Sequence, residues 1–298
     1  MPARLFTDGR GASLELEEIE GCCILFSNDH VEQQLKQVRR MDVRDDDVIL
    51  CTYPKAGTHW IWEILSMLTS GTSLYCQEMK KSFMLENADL ANVNSQPSPR
   101  VLNTHLLPPT LPETTWTSQA RLVVFHRNPK DSVVSLYSMA RQVTFKSAFE
   151  GSFDGYAELF LKGTVPYGSW FDYVRAWEDV RMRLPSHRIY VGCYEDMHRD
   201  PVGEVSRLAE FLEVGASQDL CRDIASACSF QRMKIAAEKK RGAKESRDFW
   251  KPNATGIFRK GQVGDWKNWM TQELSEAFDQ EFNQKLADLT HLHFTFEL

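Results

Sequence analysis

Four groups of residues have the types and spacing to act on an anionic ligand. The first lies in Thr52-Tyr53-Pro54-Lys55-Ala56-Gly57-Thr58-His59-Trp60, between the apolar run Val48–Cys51 and a helical pattern over 60–69. Strand, small-residue loop and helix N-terminus together make an anion site. The first amides of a helix lack internal partners, and its dipole is positive at that end. Gly57 lets backbone approach a phosphate closely, Lys55 adds a charge and Thr58 a hydroxyl. The loop is not a triphosphate loop, because no Gly-Lys-Ser/Thr follows four residues after a first Gly. The chemistry indicated is binding of phosphate or sulfate; a simple turn is the plainer alternative. Trp60 could stack on a purine or pack in a core.

The second group is Arg127, separated only by His126 from the apolar run Ala120–Phe125, with Ser135 eight residues on. An Arg at a strand end can clamp a phosphate with two parallel bonds, or pair with a surface acid. The third is Arg259-Lys260-Gly261, a cationic corner whose Gly frees its amide, or else a solvated charge pair. Two separated cationic groups suit a ligand with two phosphates. The fourth is His105, one of eight histidines, at the end of the short apolar run Arg100–Thr104. Imidazole with an ordinary pKa of about 6.5 can take a proton from a hydroxyl at neutral pH. His126 and His59 compete for that role by position.

The elements that must carry these residues follow from pattern. Apolar strands are predicted at 48–52, 100–105, 120–125 and 188–194, and helices at 60–69, 132–141, 170–182, 202–212 and 272–286. A helix over 31–41 and a strand at 22–26 precede them. Residues 219–234 read as helical, then broken. Repeated strand–loop–helix units with buried, parallel-type strands predict an α/β fold. In such sheets ligands sit beyond the carboxyl ends of the strands, where Lys55, His105 and Arg127 all fall. Residues 142–168 read as loop, with Phe145, Phe149, Phe153, Tyr156 and Phe160 either packing or walling an acceptor pocket. The run Glu238–Arg247 reads as charged and flexible.

Bulk properties narrow the classes. The 298 residues carry a formal charge of −6, which disfavours a general nucleic-acid binder, so an anion would need a local cationic pocket. Seven scattered cysteines without a C-x-x-C pair read as reduced thiols in a cytoplasmic protein. Met1–Glu20 does not read as a secretory leader, and no apolar run reaches the ~18 residues of a membrane span. Acidic ligands at metal spacing are missing, so no metal is expected.

Taken together, these residues resemble the cytosolic sulfotransferases over nearly the whole chain, from about residue 20 to Leu298. Thr52–Trp60 looks like the family's 5′-phosphosulfate loop. Arg127-Asn128-Pro129-Lys130-Asp131-Ser132-Val133-Val134-Ser135 is similar to its 3′-phosphate segment, and Arg259–Lys267 to its Arg-Lys-Gly signature. The resemblance implies transfer of a sulfonate from 3′-phosphoadenosine 5′-phosphosulfate (PAPS), leaving PAP, to a hydroxyl or amine of a small, mostly apolar acceptor such as a phenol, sterol or alcohol. It implies a P-loop-like α/β domain spanning 1–298, with a central parallel sheet flanked by helices, an N-terminal arm at about 1–29 and a mobile lid at about 238–258. It also implies roles. Lys55 addresses the bridging oxygen, and His105 is the general base. Gly57, Thr58 and His59 hold the 5′-phosphate, and Ala56 is a cofactor-binding residue of the same loop. Trp60 stacks on adenine and Tyr194 bonds to it. Arg127, Ser135, Arg259, Lys260 and Gly261 grip the 3′-phosphate, and Cys228, Phe230, Met233 and Phe258 line the nucleotide site. Acceptor contacts are expected from 20–30, 80–90, 142–168 and 240–252. A homodimer contact is implied at Lys267–Glu276.

The chain departs from that pattern at His59 (usually Thr), Asn103 (often Lys), Cys228 (usually a hydroxyl residue) and Gln272 (Val in the dimer motif). A P-loop-type nucleotide kinase and a non-catalytic nucleotide-binding protein are the competing functions. The first lacks its Gly-Lys-Ser/Thr and a magnesium-binding acid. The second is disfavoured by intact Lys55 and His105.

Overall fold

The structure is a computed structural model. It describes residues 4–19, 22–24, 31–144, 148–185, 188–244 and 249–298, without the side chains of 18–19, 22–24 and 240–244. Strands β1 (Arg4–Thr7), β2 (Ser13–Ile19) and β3 (Cys22–Ile24) form a small antiparallel sheet in that order. The sequence reading had only an arm with a strand at 22–26, of which 25–26 lie outside the described residues. The missed strand β2 alternates visibly: Leu14 and Leu16 are buried between polar neighbours, the period-2 signature of one buried face.

The main sheet is α/β and wholly parallel, as expected. Strands β4 (Val48–Thr52), β5 (Val101–Thr104), β6 (Arg121–His126) and β7 (Ile189–Cys193) lie in the order β5-β4-β6-β7. All five side chains of β4 are buried, which explains an apolar run without alternation. Register pairs Leu50 with Asn103, Thr52 with Phe125 and His126 with Cys193. Because every strand runs the same way, the segments after Thr52, Thr104, His126 and Cys193 leave along one edge. At the opposite edge the buried pair Arg100–Asp47, with Nε donating to Oδ1 at 2.8 Å, fastens the starts of β5 and β4.

Helices flank the sheet: α1 (Val31–Arg39), α2 (Thr58–Ser70), α3 (Leu90–Ser95), α4 (Pro129–Ala140), α5 (Phe153–Leu161), α6 (Trp170–Arg181), α7 (Tyr194–Arg199), α8 (Pro201–Leu212), α9 (Gln218–Ala227), α10 (Phe230–Lys244) and α11 (Gln272–Leu286). Three departures bear on the site. Helix α5 replaces the expected loop, and Phe149, Phe153, Tyr156 and Phe160 are buried core. On α5, Phe153, Tyr156 and Phe160 recur at helical spacing, so they pack inward and do not wall a pocket; Phe145 lies outside the described residues. Helix α2 begins at Thr58, two residues before the expected start, because Gly57 in the left-handed region (φ 94°) turns the chain into it. Finally, Glu238–Lys244 continues α10 as helix, consistent with the helix-forming Ala236-Ala237-Glu238-Lys239 before it. The rest of the expected flexible run reaches into 245–248, outside the described residues.

Candidate active site

The sheet edge carries the first site element, the turn from β4 into α2. Gly57 is the N-cap, makes no side-chain cap bond, and no acid stands in the first turn of α2. The amides at that end are therefore not engaged by the cap, and no carboxylate competes for them. Lys55 is itself left-handed (φ 70°), a conformation costly for a residue with a Cβ. Below the turn, the Thr52 and Thr58 hydroxyls meet at 2.7 Å and lock the end of β4 to the start of α2. Ala56 is fully buried and does not face the cavity at this edge, so its contribution to the turn is confined to backbone.

That cavity has a volume of about 800 Å³, and every other residue to which the resemblance assigns a catalytic or nucleotide role lines it: Lys55, Gly57, Thr58, His59, Trp60, His105, Arg127, Ser135, Tyr194, Cys228, Phe230, Met233, Phe258, Arg259, Lys260 and Gly261. The fold brings them together from six segments of the chain. Arg127, leaving β6, is buried. It donates to the carbonyls of Lys55 at 3.2 Å and Gln262 at 2.9 Å, and its guanidinium lies 4.2 Å over the Tyr194 ring. Among the described residues it forms no ion pair. The Nε atoms of Arg127 and Arg259 are both buried without a hydrogen-bond partner. A bound oxyanion would satisfy such donors. Trp60 meets Tyr194 edge-on at 5.3 Å. A Cβ on Gly57 would come within 2.9 Å of that Tyr194 ring, so only glycine allows the approach.

The third cationic group is partly compensated by a residue sequence reasoning passed over. Asp265 pairs with Arg259 and accepts from Lys260 Nζ at 2.6 Å. Burial works against its charge, but the hydrogen bonds from Lys260, Arg259 and Asn268 outweigh it and hold the carboxyl down to about 2. His198, also passed over, meets the Gly261 carbonyl at 2.9 Å through Nε2. Three of the four departing residues find places around the site. His59 packs edge-on against Phe258 at 5.6 Å, Cys228 directs its thiol to the Met67 sulfur at 3.7 Å, and Asn103 binds Lys80.

His105 sits at the end of β5, half-buried. Its Nδ1 lies 2.7 Å from the Thr52 carbonyl oxygen. A carbonyl only accepts, so Nδ1 carries the proton and Nε2 keeps its lone pair. From below, Glu86 accepts from the His105 backbone N–H and the Thr104 hydroxyl, both at 2.8 Å. Tyr167 flanks the imidazole edge-on at 5.0 Å. Burial, then the charge of Lys80 and lastly that of Lys55, outweigh the Thr52 hydrogen bond and bring the imidazole down to about 3. It is therefore neutral at pH 7. Of the rivals, His126 is fully buried away from the cavity, and burial brings it to about 4. Lys55 is brought down to about 8 by burial and then by Arg127, Arg259 and Lys80. Cations crowded closely enough to lower a neighbouring lysine favour an anion among them.

Beyond His105 the cavity takes Glu78, Met79, Lys80, Lys81, Met84 and Asn87, then Pro166, Tyr167, Phe249 and Trp250. These fall within the acceptor segments expected at 80–90, 142–168 and 240–252, plus Glu78 and Met79. The expected segment 20–30 lies largely outside the described residues. Of the segment expected as a lid, 249–251 is pinned: Thr144 N–H donates to the Phe249 carbonyl at 3.2 Å, and Lys251 N–H to that of Gln142 at 2.8 Å. No group of residues able to hold a metal occurs among the described residues.

The carboxyl edge of the parallel α/β sheet thus gathers a helix N-terminus, cationic side chains and a histidine around one cavity, an arrangement suited to a phosphorylated ligand. Residues 45–290 match the model of the sulfotransferase domain family. The chain belongs to that family. It is 31% identical to human sulfotransferase 1C2 over 98% of this chain and 99% of the relative, and 36% identical to mouse sulfotransferase 1E1 over 83% and 85%. The structure of mouse sulfotransferase SULT7A1 complexed with PAP superposes with a TM-score of 0.74 at 28% identity, covering 93% of this chain and 97% of that one. Retinol dehydratase, complexed with retinol and PAP, shares the fold with a TM-score of 0.74 at 16% identity.

Proposed function

We propose that this protein transfers the sulfonate of PAPS to a hydroxyl, or an amine, of a small and mostly apolar molecule. The observation that carries the reading is one cavity in which a neutral His105, its Nε2 lone pair left free by the Thr52 contact, shares space with the Lys55 turn. Arg127, Ser135, Arg259, Lys260 and Gly261 would grip the 3′-phosphate, and the α2 amides of Gly57, Thr58 and His59 the 5′-phosphate. Trp60, Tyr194, Cys228, Phe230, Met233 and Phe258 would enclose adenine. The unpartnered arginine Nε atoms and the Gly57–Tyr194 approach support this fit.

Chemistry follows from these positions. The acceptor oxygen attacks sulfur in line, and its proton passes to His105 Nε2. The bond from sulfur to the bridging oxygen breaks, and its electron pair stays on the phosphate of PAP. Lys55 and the α2 dipole stabilise that charge as it develops. An imidazole of low basicity still serves, because the attacking hydroxyl becomes strongly acidic only as the bond to sulfur forms. Catalysis then rests on charge stabilisation and positioning, and the residues present can supply both.

The acceptor chamber favours an apolar alcohol or phenol: Met79, Met84, Met139, Phe249 and Trp250 face it. The thiols of Cys51, Cys193, Cys221 and Cys228 fit a reducing cytoplasm. The run Lys267–Glu276, with Trp269 exposed, would be the contact of a homodimer.

A panel of phenols, sterols and alcohols with radiolabelled PAPS tests the reading. His105→Ala should lower turnover about 10²–10⁴-fold and leave PAP affinity unchanged. PAP binding without transfer to any acceptor would favour the non-catalytic alternative, and a magnesium requirement with ATP as donor would favour the kinase.

A further inference from the structure

Sequence offers Lys80 only as a member of the acceptor segment 80–90, and the fold places it in the cavity with Lys55 and His105. It stands in a single helical turn, Lys80–Phe83, after α2. That segment is stitched to the sheet: Met84 bridges to Asn103, and Leu85 N–H donates to the Asn103 carbonyl at 3.0 Å. Asn103 is fully buried on β5, two residues before His105. Its amide exchanges two bonds with Lys80, donating to the backbone carbonyl at 3.0 Å and accepting from Nζ at 3.1 Å. The ammonium is thus held over the end of β5 and borders the same cavity as Lys55 and His105.

Lys80 makes no ion pair among the described residues; its ammonium bonds to the Asn103 side-chain oxygen. Glu86, the acid whose charge acts on Lys80, spends one oxygen on Thr104 and the other on the His105 backbone N–H. A half-buried ammonium with one amide acceptor is poorly compensated. Its charge is felt at both neighbours, since it depresses Lys55 and His105, and burial brings Lys80 itself to about 8. The cluster therefore calls for negative charge at the point between the Lys55 turn and the His105 imidazole.

We propose that Lys80 is a second catalytic cation, presented by Asn103, whose ammonium receives the non-bridging oxygens of the sulfonate during transfer. This rests on the sulfonate-transfer reading above. Lys55 answers charge on the leaving phosphate, while Lys80 answers charge on the group in flight. Asn103 is then a positioning residue.

The test measures PAP affinity by calorimetry, and kcat and acceptor KM with PAPS, for wild type, Lys80→Gln, Lys80→Arg and Lys80→Gln with Asn103→Lys. Removing one preorganised charge partner costs roughly 10²–10³ in kcat. The expected result is a loss of that order in Lys80→Gln with PAP affinity within twofold, since PAP lacks the sulfonate. Lys80→Arg should recover part of it, and so should Asn103→Lys, which starts a lysine from the place where Lys80 ends. Unchanged kcat in Lys80→Gln refutes the proposal, as does an effect confined to acceptor KM, which would assign Lys80 to an acidic acceptor group. An equal loss of PAP affinity assigns it to the nucleotide and also refutes it. A wild type that binds PAP but transfers to no acceptor overturns the sulfonate-transfer reading first.

Discussion

The depressed ammonium of Lys55 makes nucleotide binding pH-dependent in a calculable way. Its pKa in the free protein is about 8, set by burial and by Arg127, Arg259 and Lys80. A bound phosphate offsets those three cations and returns the lysine toward its ordinary ~10.4. The binding contribution is then complete below pH 8 and is lost as pH rises from 8 toward 10. At pH 9 a group of pKa 8 is only about one-eleventh protonated in the free protein, and at pH 7 about nine-tenths, so affinity falls roughly tenfold between them. That is about 1.4 kcal/mol. Phosphate monoesters, with a second pKa near 6, stay dianionic throughout and add little. Isothermal titration of PAP at pH 7, 8 and 9 and constant salt should show this decline. At pH 8, buffers of differing ionisation enthalpy should report uptake of about half a proton. Lys55→Met should bind more weakly at pH 7 and show a flatter profile. Equal PAP affinity at pH 7 and 9, with no proton uptake, would refute the placement of Lys55 against a phosphate.

Other outcomes follow from single contacts. Gly57→Ala must hold φ 94° with a side chain and press a Cβ against Tyr194, so PAP affinity should fall at least tenfold, measured by calorimetry, with a stability loss of about 1–2 kcal/mol in urea. Asp47→Ala strands the buried Arg100 guanidinium between β4 and β5 and should cost about 3–5 kcal/mol in the same titration. Glu86→Ala removes the acceptor of the His105 backbone N–H and the Thr104 hydroxyl; kcat should drop tenfold or more while PAP affinity holds. A Glu86→Ala enzyme with normal kcat would show that His105 does not depend on that support.

Much of the nucleotide end was legible in the chain because it is local. A strand, a Lys-Ala-Gly-Thr turn and a helix are consecutive in sequence, so the anion site at Lys55 could be read without knowing the fold. Arg127 was legible for the same reason, as the first residue after an apolar strand. The four parallel strands were readable because burial on both faces leaves uninterrupted apolar runs. Strand β2 and helix α5 were equally written in period, and were passed over because polar ends and clustered aromatics masked short elements.

What sequence alone determined, then, was the set of ligand-directed residues and the parallel sheet that presents them, since each depends on neighbours in the chain. Only tertiary structure decided how their charges are compensated. Asp265 pairs with Arg259 and Lys260 in the same loop, yet its role needed the cavity to define it. Glu86 and Lys80 come from a stretch with no periodic signal, and reach His105 and Asn103 only because that segment folds back along β5. The strand lacks a cation at Asn103, and the fold brings one to it from residue 80. Charge acts through space over several ångströms, and sequence records no such distance.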